Sequence, residues 1–120
     1  MKRLFQFIEK RINPRRPVRL PATFMIVRGE ALAMVTGWHK GTIINQSDCG
    51  CCLVIDKLSI EGFYIMKCLD DIENYRVNLK LEENAVEKLG KICWVDRYEE
   101  GLVMGFKIGI EFTDAPSSGP

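Results

Sequence analysis

The sequence predicts an all-β domain: an antiparallel barrel or sandwich, with the barrel favoured. Three observations predict it. Six or seven short runs carry the two-residue alternation of a strand covered on one side. Turn-forming polar residues and glycines separate those runs, and no second long helical pattern follows the first dozen residues. At 120 residues there is material for one core but not two. Closure into a barrel leaves the fewest open strand edges at this length.

Taken in order, residues 2–12 read as a short amphipathic helix. Leu4, Phe5, Phe7, Ile8 and Ile12 share one arc at 100° per residue, with charges opposite. Asn13-Pro14 ends it, because asparagine tolerates a left-handed cap and proline cannot extend the ladder. Such a helix is either docked on the domain or a solvated extension. Residues 1–13 therefore form one segment, 14–113 the β domain and 114–120 a flexible Pro/Ser/Gly-containing tail. Leu20, Ala22, Phe24 and Ile26 mark the first strand, and Gly29 allows a turn before 31–35. Runs at 38–44, 51–55 and 63–69 follow, then the alternation of Val77, Leu79 and Leu81. Residues 87–95 make the next strand and 96–101 a polar turn. The last run sets Phe106, Ile108, Ile110 and Phe112 on one side, with Lys107, Gly109 and Glu111 on the other.

Apolar residues at 47 % and charged residues at 28 % describe an ordinary globular chain. A net charge of +1 does not advertise a nucleic-acid polymer or a membrane surface. The basicity is local: Lys2, Arg3, Lys10, Arg11, Arg15, Arg16 and Arg19 crowd the first nineteen residues. Either a small anionic ligand or mere solvation accounts for that. No apolar run reaches membrane-spanning length, and the charged opening MKRLFQFIEKR does not resemble a secretory leader. An odd count of five cysteines in such a chain points to reduced thiols and a cytoplasmic location.

Two segments carry the chemistry. In Arg15-Arg16-Pro17-Val18-Arg19, Pro14 and Pro17 keep the segment from being helical, so Arg15 and Arg19 can converge on one anion. Guanidinium forks match the paired acceptors of phosphate and of the guanine O6/N7 edge. A basic run near a terminus is also what a solvated face looks like. In Asn45-Gln46-Ser47-Asp48-Cys49-Gly50, an amide and a hydroxyl can accept from guanine N1–H and N2–H₂. In strand register Asn45 and Ser47 share a face, and Gly50 permits a sharp turn or close approach. The same residue types would also suit an ordinary turn.

Jointly, Arg15-x-x-x-Arg19 with the extra Arg16, followed by Asn45-x-Ser47-x-x-Gly50, resembles the RxxxR and (D/N)xSxxG signature of PilZ domains. Gly90-Lys91-Ile92-Cys93-Trp94-Val95 and Gly109-Ile110-Glu111-Phe112 are similar to the strand motifs that close that family's barrel. The resemblance spans about residues 14–113 and implies a six-stranded antiparallel β-barrel that binds cyclic di-GMP, without catalysis or cofactor. By matched position, Arg15 and Arg19 would grip phosphates and guanine, with Arg16 assisting. Asn45 and Ser47 would hold a base, and Gly50 would shape the turn. The arginine loop would order over the dinucleotide, shift residues 2–12 and signal to a protein partner, in motility, biofilm or secretion machinery. This chain carries Asn45 where many members have Asp, and Pro14 ahead of Arg15 leaves open whether one ligand or a stacked pair binds. The C-terminal helix that often follows the barrel is not seen in this sequence.

Other constellations are weaker. Cys49, Cys51 and Cys52 lack zinc-ligand spacing, His39 is the single histidine, and the cysteines read as small buried hydrophobes. Asp70 and Asp71 are adjacent and would point apart in a strand, so no acid/base pair or metal site emerges. Trp94 reads as core, and Trp38 either walls the site or packs. The rival reading is a PilZ-like protein-interaction scaffold that binds no nucleotide. A single-stranded nucleic-acid binder would need exposed aromatics on a basic strand face.

Overall fold

A computed structural model describes residues 16–113. The expected helix at 2–12, Arg15 and the tail at 114–120 lie outside the described residues. The elements are β1 (Arg16–Arg28), β2 (Ala33–Met34), β3 (His39–Gln46), β4 (Gly50–Ile55), β5 (Ser59–Ile60), β6 (Phe63–Tyr64), α1 (Lys67–Asp70), β7 (Tyr75–Leu81), β8 (Glu87–Glu100) and β9 (Val103–Phe112).

All strand pairings are antiparallel. The main sheet runs β1-β3-β4-β9-β8-β7, and β7 returns to pair with β1 from Ala22↔Leu81 to Arg28↔Tyr75. Six strands therefore close into a ring, with β2 added beside β1 and β5–β6 forming a separate small hairpin. Alternation fills the interior: Ala22, Phe24 and Ile26 from β1 meet Leu53, Leu79, Ile92, Ile108 and Ile110. Thr36 is the buried polar residue among them; its Oγ1 accepts from the Ile26 amide at 3.1 Å and donates to the Gly37 carbonyl at 2.9 Å.

Three sequence expectations are corrected. Residues 63–69 do not make one strand: β6 stops at Tyr64, and Ile65 and Cys68 are buried three apart at a helical turn. Residues 96–101 do not make a turn, because β8 continues to Glu100 and pairs with β9 as far as Glu100↔Val103. Gly101, with φ of 62°, supplies the positive dihedral that the reversal requires. The cysteines divide: Cys51, Cys52 and Cys68 are buried, but Cys49 and Cys93 are exposed.

Candidate functional site

The arginine segment is already strand from Arg16, rather than a loop leading into it. Arg16 pairs with Gln46 and Pro17 with Asn45, so the two sequence motifs are neighbours in one ladder. After Pro17↔Asn45 the register jumps to Leu20↔Ile43, setting Val18 and Arg19 against Ile44 alone. On its other side β3 passes from Ile43↔Leu53 directly to Asn45↔Cys52, so Ile44 is an extra residue there too.

That bulge resets the phase of β3. Ile43 points into the core with its partners Leu20 and Leu53. Unbroken alternation would send Asn45 inward as well. Asn45 instead pairs with Cys52, which alternates with the core residues Cys51 and Leu53 and lies outside the core cluster. Asn45 therefore faces the outer surface. Arg19 does too, because it stands between Val18 and Leu20, both packed on the core, and is exposed.

Register partners extend the outer row across five strands: Pro17, Asn45, Cys52, Gly109 and Trp94. Trp94 is half-buried on this face rather than inside the core. Its ring occupies the space a side chain at residue 109 would need, since a Cβ there would fall 2.2 Å from the indole. The sequence reading missed this position; the signal was the Gly109/Trp94 pair, whose proximity is visible only through the β8–β9 register. Trp38 stands at the opposite end of β3, with Lys80 Nζ 5.6 Å from its ring centre, and does not wall this site.

Ser47 lies past the end of β3, so it does not share a strand face with Asn45. It opens a tight turn in which its amide donates to the Gly50 carbonyl at 2.9 Å and its Oγ accepts from the Cys49 amide at 3.2 Å. The Phe112 amide donates to the Cys49 carbonyl at 2.8 Å, fastening the turn to β9. The hydroxyl keeps its proton and a second lone pair for a ligand. Gly50 is required by packing: a Cβ there would lie 2.2 Å from the Ile110 carbonyl oxygen. Inside the ring mouth at this end, Gln46, Ser47, Asp48, Lys88 and Phe112 help line a pocket of about 360 Å³.

Arg19 has a partner from far along the chain. Its Nη2 donates to Glu100 Oε1 at 3.2 Å, and the Tyr98 hydroxyl donates to the same oxygen. The Tyr98 hydroxyl and then the Glu100 carboxylate hold the Arg19 guanidinium above its usual range. Tyr98 and then Arg19 hold the Glu100 carboxyl below its own. Among the described residues, no group of three or more His, Cys, Asp or Glu could hold a metal ion, and no helix is long and apolar enough to cross a membrane.

No protein-family model matches the sequence, and no curated protein matches it. The structure is similar to that of PlzA from Borreliella burgdorferi in complex with c-di-GMP, with a TM-score of 0.52 and 14 % identity over 92 % of this chain and 48 % of that one. The fold is PilZ-like. The chain spans about half the length of PlzA. A PilZ-like ring explains why an N-terminal strand can lie beside the end of β3: closure makes β1 the shared neighbour of β3 and β7.

Proposed function

We propose that this PilZ-like domain is a cyclic di-GMP receptor rather than an enzyme. One observation carries the reading: Pro17↔Asn45 pairing beside the Ile44 bulge, which turns Arg19 and Asn45 to one outer face. The likeness to a fold solved with c-di-GMP supports it. In this reading Arg15, Arg16 and Arg19 take the phosphates and guanine edges, since guanidinium forks suit both. Asn45 and Ser47 accept from a guanine base, and Gly50 lets β4 seat the turn against β9. Ligand binding shifts the arginine segment, which is already strand from Arg16, and the change passes through residues 2–12 to a protein partner in the cytoplasm.

Calorimetry with cyclic di-GMP, cyclic di-AMP and GTP tests it. Heat is expected from the first alone, weakening as salt screens the phosphates. Arg19→Ala should weaken binding roughly tenfold or more, as loss of a charged hydrogen-bond donor does. Equal affinity in wild type and in both Arg19→Ala and Asn45→Ala would refute the site.

A further inference from the structure

The long hairpin of β8 and β9 outruns its neighbours. Pairing of β8 with β7 ends at Val77↔Gly90, and pairing of β4 with β9 ends at Ile55↔Phe106. Beyond those points a two-stranded ribbon continues to the turn at Gly101 and Leu102. Free ribbons twist more strongly than sheets. This one curls back over the outside of the ring, because Met104 shares a pocket of about 410 Å³ with Pro21, Thr42, Val54 and Glu82. Its tip then meets Arg19, 81 residues away in sequence.

Little apolar packing holds that tip: Leu102 is 100 % exposed and Met104 65 %. A polar contact therefore matters to its position. A carboxylate offers a guanidinium the same kind of oxygen acceptors that a phosphate does. Arg19 and Glu100 are both largely exposed, and exposed pairs are weak enough to exchange partners. We propose that Glu100, supported by Tyr98, occupies Arg19 as an intramolecular stand-in for ligand phosphate, so that binding at the site releases the ribbon tip. The inference rests on the receptor reading above.

By linkage, whatever the contact costs the ligand, the ligand costs the contact. Calorimetry with cyclic di-GMP on Glu100→Gln should give an affinity about two- to fivefold above wild type, the range of an exposed ion pair. Glu99→Gln removes the same charge from a residue that faces Arg97 at 3.7 Å, and should leave affinity unchanged. A ligand-free readout stands beside these: Arg19→Ala should speed amide exchange across residues 98–104. Unchanged exchange in that variant overturns the tether. Equal or weaker binding by Glu100→Gln, or an equal gain in Glu99→Gln, overturns the competition while the receptor reading survives. No heat from wild type or from Glu100→Gln overturns both.

Discussion

Gly50→Ala separates two meanings of a motif glycine. If glycine serves only to admit a ligand, alanine should lower affinity and leave the fold intact. The structure predicts otherwise. The new methyl would sit 2.2 Å from the Ile110 carbonyl oxygen, with the next contacts at 3.2 and 3.3 Å to backbone atoms of Ile110 and Glu111. Nothing there is the yielding end of a side chain, so β4 and β9 must separate. Overpacking by a methyl group costs about 1–3 kcal/mol. Gly50 is not among the positive-φ residues, so alanine also gains about 0.4–1 kcal/mol by narrowing the unfolded ensemble. The net loss is roughly 1–2 kcal/mol. With a urea slope on the order of 1–1.5 kcal/mol/M, the unfolding midpoint should fall by about 1 M. An unchanged midpoint accompanied by lost binding would refute the packing account and return Gly50 to the ligand.

Other expectations follow from particular contacts. Thr36→Val strands the buried Ile26 amide and should cost about 1–3 kcal/mol, read as a lower melting temperature. Burial pushes the Cys68 thiol up to about 12, so at pH 8 it stays protonated. A thiol reagent should label exposed Cys49 in the folded protein and reach Cys68 only on unfolding, as mass spectrometry would show. The Glu61 carboxyl is held below its ordinary value, first by His39 Nε2 at 2.5 Å and then by the Gly37 amide. A lowered carboxyl stabilises the fold above its unfolded pKa and loses that contribution as pH falls through the folded one. Amide exchange at Gly37 should therefore quicken in wild type as pH drops below about 4.5, after correction for intrinsic rates, and a Glu61→Gln variant should lack that step.

Strands whose inner residues meet one core were legible in the sequence. Phe24 and Ile26, Val77 and Leu79, and Ile108 and Ile110 keep two-residue spacing because one face of each strand is covered. Where burial follows another logic, alternation misleads. Ile65 and Cys68 are apolar at helical spacing, and a short apolar run cannot by itself distinguish that from a strand. The ribbon beyond Val95 has no core side, so Asp96, Arg97, Glu99 and Glu100 looked like a turn although the backbone stays extended. The two motifs of the candidate site stand in the sequence as letters, but their orientation does not. Which way Asn45 faces depends on three strands meeting at Ile44, and the Glu100 contact crosses 81 residues without a local trace.

The extra residue at position 44 makes surface identity a matter of counting. With the bulge kept, one more residue between Ile43 and Asn45 would shift the phase, hide the carboxamide of Asn45 beneath the sheet and bring its neighbour Gln46 to the outside. A homologous stretch could keep the same Asn-x-Ser-x-x-Gly lettering and still present different chemistry to solvent. Only the interval back to the last interior residue, Ile43, distinguishes the two.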